Sequence, residues 1–237
     1  MPRKKTNNMT AAVTPRFILF FDTETTGLLP KNEGDPIPHI IQLSFILYDV
    51  QTNMVIEKFD EYVRVGKEVA ISEEVTRITG ITREKCDRGV AIEKCLYAFR
   101  DCYKRADLLV AHNIQFDMAV IRCEIQRFVS VLFKFEESID DAMDFVNMFK
   151  RDKRTYCTMM KNVKLCDIRA TPESKYPKYP KLTELYGKLY TTESLPTTMH
   201  NSMTDVLVCM RCYMKITGTR EIEEDEFKTM LNDCCVY

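Results

Sequence analysis

The sequence predicts an α/β fold, and three observations point there. Phe17, Ile18, Leu19, Phe20 and Phe21 form an apolar run without alternation, the pattern of a strand buried on both faces. Two more strand-like runs follow at residues 40–50 and 55–65. The turn residues Gln51, Thr52 and Asn53 join them into an antiparallel meander. Beyond these the apolar spacing turns helical, with Ile92, Cys95, Leu96, Phe99 and Tyr103 on one face of an amphipathic helix.

Taken in order, residues 1–14 lack periodicity, carry Arg3, Lys4 and Lys5, and read as a disordered basic tail. The first strand ends in Asp22 and Glu24, two apart, so an extended backbone points both carboxylates the same way. Two ionised acids crowded at the end of a buried strand repel each other, and a cation relieves that cost. Thr25, Thr26 and Gly27 supply a tight turn whose backbone N–H groups suit an anionic ligand. A loop rich in Pro and Gly spans residues 30–38. Ser72 is the expected cap of a short helix that Gly80 closes.

A short buried strand at residues 108–111 runs into His112 and Asn113. Asn113 is the expected N-cap of a helix bearing Phe116, Val120, Ile121, Ile125 and Phe128. Asp117 then falls in the first turn, where the helix dipole favours a carboxylate. Residues 139–149 look helical, residues 156–160 read as a short strand or turn, and residues 161–181 as a loop. In that loop Lys175, Lys178 and Lys181 interleave with Tyr176 and Tyr179, a mixture suited to phosphates and bases and equally to a solvated loop. Residues 182–190 form a short helix. His200 precedes Ser202 and Asp205, whose spacing resembles a capping box opening the last long helix. The acidic run at residues 221–226 is a surface segment or a partner contact.

At 237 residues the chain fits one large domain over residues 15–217 with an acidic extension at 218–237. Its net charge of −1 argues against a basic, coating type of nucleic-acid binder but leaves room for a nuclease whose positive charge is bound metal. No apolar run approaches the ~20 residues of a membrane span, so the expectation is a soluble, intracellular protein, cytoplasmic or nuclear, with no membrane partner. The ten cysteines sit mostly in apolar helical patterns. Cys209 and Cys212, three apart, read as a core stripe rather than half a zinc site.

Asp22 with Glu24, His112-Asn113 with Phe116-Asp117, and His200 with Asp205 together resemble the three motifs of the DEDDh family of 3′–5′ exonucleases. That family includes the proofreading subunit of bacterial DNA polymerase III. Residues 77–82 resemble its intermediate segment, with Thr79 where the family often has His, and residues 181–185 its Lys-Leu-x-x-Leu. The resemblance spans residues 17–216. It implies an RNase H-like fold, with a central mixed sheet whose first three strands are antiparallel, flanked by helices. It also implies two Mg²⁺ ions, replaceable by Mn²⁺, held by Asp22, Glu24, Asp117 and Asp205. His200 is then the general base, since histidines titrate near neutrality. Thr25 and Thr26 are expected to bind the terminal nucleotide through main chain, Leu28 to pack on its base, and Asn113 to contact the substrate. The implied partner is nucleic acid with a free 3′ end, single-stranded DNA favoured over RNA, with a polymerase or replication partner beside it. The alternatives are an RNA-directed exonuclease and a catalytically silent binding module on the same fold.

Overall fold

A computed structural model describes residues 14–132 and 154–233. The helix expected at 139–149 and almost all of the basic tail lie outside the described residues. Five strands, β1 (Phe17–Thr25), β2 (Ile40–Asp49), β3 (Met54–Tyr62), β4 (Leu108–Ala111) and β5 (Arg154–Cys157), form one sheet in the order β3-β2-β1-β4-β5. β1 pairs antiparallel with β2, and β2 with β3, while β4 runs parallel to β1 and β5 to β4. This is the mixed sheet of an RNase H-like fold, with the antiparallel meander first.

The absence of alternation in β1 has a direct physical cause, since helices cover both sides of the sheet. Leu19 and Phe21 pack with Leu96 and Phe99 of α3 (Ile92–Arg105) and Ile121 of α4 (Ile114–Leu132). Ile18 and Phe20 face the other way, toward the helices at Leu182–Leu189 and Ser202–Thr217. Parity then carries past the apolar run. Asp22 and Glu24 continue the face of Ile18 and Phe20, and Thr23 continues the face of Leu19 and Phe21.

Two short helices, α1 (Glu73–Thr79) and α2 (Arg83–Arg88), follow β3. α1 ends as expected: Ser72 Oγ accepts from Val75 N at 3.2 Å, and Gly80 takes φ 68°, which a side chain would strain. β3 stops three residues short of the expected Val65. There the chain leaves the sheet so that Val63 bridges Val90. Residues 156–160 divide between β5 and a single turn, α5 (Thr158–Lys161). The stretch expected to be wholly loop contains a further turn, α6 (Val163–Cys166), because Cys166 inserts into the core.

α7 (Leu182–Leu189), α8 (Ser202–Thr217) and α9 (Glu224–Asn232) complete the second layer. α8 is buried on nearly all sides, with Cys209 and Cys212 both in its apolar core. A guanidinium lies inside this layer. Arg211 is 1% exposed, and its guanidinium donates to both Glu193 oxygens, to Tyr186 Oη and to the Ile222 carbonyl. The rings of Tyr190 and Phe227 lie 3.9 and 4.5 Å from its Cζ. The acidic residues Glu221, Glu223 and Glu224 face solvent while Ile222 and Phe227 are buried, so the C-terminal segment folds back as an amphipathic cover. Among the described residues, no helix is long and apolar enough to cross a membrane.

Candidate active site

β1 ends between the two helical layers, and its alternation distributes the acids. Asp22 and Glu24 point toward α8, where Asp205 occupies the first helical turn. One carboxylate oxygen from each of Asp22, Glu24 and Asp205 lies within 4.8 Å of the others. Thr23 points toward α4, where Asp117 Oδ1 accepts from Thr23 N at 3.1 Å and from Thr23 Oγ1 at 2.8 Å. Asp117 is 2% exposed and acts electrostatically on Asp22, yet it stands outside the three-oxygen group. One of its oxygens is therefore fixed by the strand.

The cluster is arranged against its own charge. Burial, and then repulsion from Asp117, Asp205 and Glu24, hold the Asp22 carboxyl well above the usual carboxylate range. Burial and the neighbouring acids push Glu24 up to about 8. Burial raises Asp117 to about 7 against the Thr23 hydrogen bonds, and raises Asp205 to about 7. An all-carboxylate donor set with this much unrelieved negative charge fits a hard divalent cation such as Mg²⁺ or Mn²⁺.

This has a measurable consequence for stability. Each of these acids binds its proton more tightly in the folded than in the unfolded chain. Their contribution to stability is therefore fully present below the ordinary carboxylate range near ~pH 4 and is lost as pH rises through about 7 to 8. In EDTA the melting temperature should fall between about pH 5 and pH 8, and Mg²⁺ or Mn²⁺ should raise it more at the higher pH. Equal shifts at both pH values would show that the cations bind elsewhere.

A polar network docks α8 onto the sheet. Gln42 faces Glu24 across the β1–β2 ladder and is 1% exposed. Its amide donates to Asp60 Oδ1 at 2.8 Å, while its oxygen accepts from Ser202 N at 3.3 Å and Asn201 Nδ2 at 3.4 Å. Ser202 Oγ donates to the Asp22 carbonyl at 3.0 Å. The expected capping box at Ser202 is therefore not formed. Asn201 caps α8 instead, accepting from Thr204 N at 3.3 Å, because the Ser202 hydroxyl is engaged by β1. Sequence reasoning missed the contacts of Gln42 and Thr23 and gave Ser202 a different one, a cap. For Gln42 the available signal was a polar side chain inside an apolar strand.

His200 is exposed, has φ 67°, and its backbone N–H points at Asp205 Oδ1 from 3.4 Å. A non-glycine residue in the left-handed region costs on the order of 1–3 kcal/mol and is held by its surroundings. His112 has a structural role. Its Nε2–H donates to the Pro180 carbonyl at 3.1 Å, leaving Nδ1 to accept from Thr158 Oγ1 at 3.0 Å. Burial lowers it to about 4, so it is neutral near pH 7.

The expected substrate residues divide. Leu28 is 77% exposed, free to meet a base. Thr25 Oγ1 donates to the Gly27 carbonyl and shapes the turn. Thr26 departs from expectation: its amide donates to the His39 carbonyl at 2.9 Å and its hydroxyl accepts from His39 N, so it clips the turn to β2. Asn113 has φ 69° rather than the extended backbone of an N-cap, because the chain must reverse sharply between β4 and α4. Thr79, at the family's histidine place, bonds within its own turn, to the Val75 carbonyl and Ile81 N. Lys178 is held by Glu184 at 2.6 and 2.8 Å rather than free for phosphate.

Comparison with known proteins bears on this site. The RNase_T family model, described as Exonuclease, matches residues 19–213. The DNA polymerase III PolC-type of Caldanaerobacter subterraneus subsp. tengcongensis is 26% identical over 151 residues, covering 64% of this chain and 10% of that protein. Its counterpart in Mycoplasmopsis pulmonis is 28% identical over 130 residues, covering 55% of this chain and 8% of that protein. The chain thus spans about a tenth of these curated relatives. Among solved structures, E. coli exonuclease I in complex with a dA16 oligonucleotide superposes with a TM-score of 0.55 at 16% identity, covering 92% of this chain and 43% of that one. The nuclease domain of 3′hExo, a DEDDh family member bound to rAMP, gives a TM-score of 0.50 at 17% identity, covering 90% and 99%.

Proposed function

The chain belongs to the exonuclease family whose model spans residues 19–213, and from that premise we propose that it removes nucleoside 5′-monophosphates from the 3′ end of single-stranded DNA in a two-metal reaction. The observation that carries the reading is the meeting of Asp22, Glu24 and Asp205 within 4.8 Å at a strand end and a helix start, beside an exposed histidine. Asp22, Glu24 and Asp205 would hold a divalent cation, Mg²⁺ or Mn²⁺ in its place, and Asp117 would support a second ion of the pair. When bound, the ions supply charge stabilisation for in-line phosphodiester displacement.

The chain's own residues do the rest. Leu28 packs on the terminal base, the turn at Thr25 and Asn113 border the terminal nucleotide, and His200 accepts the proton of the attacking water. The exposure of His200 on its loop supports that role, as does the neutral, doubly bonded state of His112, which keeps the second histidine out of proton transfer. PolC-type relatives support a polymerase-associated setting such as proofreading or repair, with a replication protein as partner. The RNA reading draws on the 3′hExo neighbour, whose structure holds rAMP.

The test is a time course on 5′-labelled single-stranded DNA and matching RNA with Mg²⁺, Mn²⁺ or EDTA. The expected result is a metal-dependent ladder shortening from the 3′ end, faster on DNA. Faster loss of RNA would reverse the substrate assignment. Intact polymers under every metal would replace the enzyme by a binding module.

A further inference from the structure

The loop before α7 is rigidly built and yet displays two aromatic rings to solvent. Arg169 Nη1 donates to the carbonyls of Ser174 at 3.1 Å and Lys175 at 2.6 Å. Thr171 N donates to Ser174 Oγ at 3.1 Å, and Lys178 N to the Ile168 carbonyl at 2.8 Å. Lys178 Nζ is fixed on Glu184, and the Pro180 carbonyl is fixed by His112. Within this frame Tyr176 is 70% and Tyr179 59% exposed. Each is followed by a proline, Pro177 and Pro180, which confines the tyrosine backbone to extended conformations. Lys175 Nζ lies 5.3 Å from the Tyr176 ring centre, so positive charge accompanies the exposed rings.

The loop is also continuous with the active site. His112, which holds Pro180, is the neighbour of Asn113 and lies five residues before Asp117, whose carboxylate is bonded to Thr23 of β1. Held rings beside a lysine, at the margin of a site for a strand end, match the chemistry of single-stranded nucleic acid. Bases stack on aromatic faces, and phosphates meet the cation. A duplex keeps its bases stacked inside and offers these rings nothing to stack on.

We infer that Tyr176 and Tyr179, with Lys175, form a stacking track that holds unpaired nucleotides upstream of the 3′ end. The track rests on the exonuclease reading for its direction and adds to its single-stranded substrate a binding surface for bases upstream of the end. Stacking does not depend on the sugar, so the track serves DNA and RNA alike and does not choose between them.

The test is binding in EDTA, where no cleavage intervenes, read by fluorescence anisotropy of a labelled oligothymidylate and of a dinucleotide that offers no upstream bases. The double variant Tyr176→Ala/Tyr179→Ala should weaken binding of the long strand by about tenfold or more, because alanine in place of a stacking ring typically costs on the order of 5- to 150-fold per base. Dinucleotide binding should move less than about twofold, and Tyr176→Trp/Tyr179→Trp should retain wild-type affinity for the long strand. Unchanged affinity in the alanine variant, equal weakening for both lengths, or failure of the tryptophan variant to bind would each overturn the track. Wild-type cleavage in Mg²⁺ is scored separately. If cleavage is absent while binding depends on the tyrosines, the exonuclease reading fails and the track stands. If cleavage is present while binding ignores them, only the track fails.

Discussion

Asp22→Ala and Asp205→Ala should each lower strand shortening by on the order of 10³–10⁵-fold while leaving the fold intact. The magnitude follows from the several kcal/mol of charge stabilisation that leaves with the ions, at about 1.4 kcal/mol per factor of ten. The fold survives because the removed groups oppose folding in the metal-free chain. Burial and mutual repulsion hold the Asp22 carboxyl far above its usual range, so deleting one charge relieves its neighbours. Each variant in EDTA near pH 8 should therefore melt no lower than the wild type, and should lose the stabilisation that Mg²⁺ gives. Cleavage assays on labelled strands, with melting curves beside them, check both halves. Turnover close to wild type in either variant would show that the cluster is not the reaction centre.

His200→Ala should lower kcat by about 10²–10⁴-fold, the usual contribution of a positioned general base. KM should hardly move, because a proton acceptor works in the transition state and adds little to ground-state binding. The Mg²⁺-induced rise in melting temperature should be unchanged, since the His200 side chain is not among the carboxylate ligands. That combination separates a base from a structural residue. A variant with raised KM and intact kcat would make His200 a substrate contact, and one that lost its response to Mg²⁺ would place it among the residues shaping the Asp205 loop.

Much of the site was legible in the sequence because strand parity transmits it. An apolar run buried on both faces fixes which way Asp22 and Glu24 point, and a helix start places Asp117 and Asp205 within one turn of a strand end. The supporting contacts were not legible, for equally physical reasons. Gln42 reads as a lapse in an apolar strand because its partners at residues 201 and 202 lie about 160 positions away. Spacing alone points to Ser202 in a capping box at the start of α8, whereas the nearby β1 carbonyl draws that hydroxyl off and leaves capping to Asn201. The sequence leaves Lys178 open between a phosphate contact and a solvated loop, whereas Glu184 holds it, a pairing that depends on how the loop meets α7.

The cage around Arg211 separates two boundaries that are easily taken for one. Similarity to the exonuclease family ends at residue 213, but the guanidinium on that same helix is enclosed by the Phe227 ring and the Ile222 carbonyl. A chain cut where homology stops would keep all four clustered acids, Asp22, Glu24, Asp117 and Asp205, and still leave a cation half-wrapped in its interior. Its remaining contacts to Glu193 and Tyr186 would then face water. A buried charge that loses part of its shell costs several kcal/mol, about half of what an ordinary domain has in hand. The inherited unit of chemistry here is smaller than the unit that stays folded.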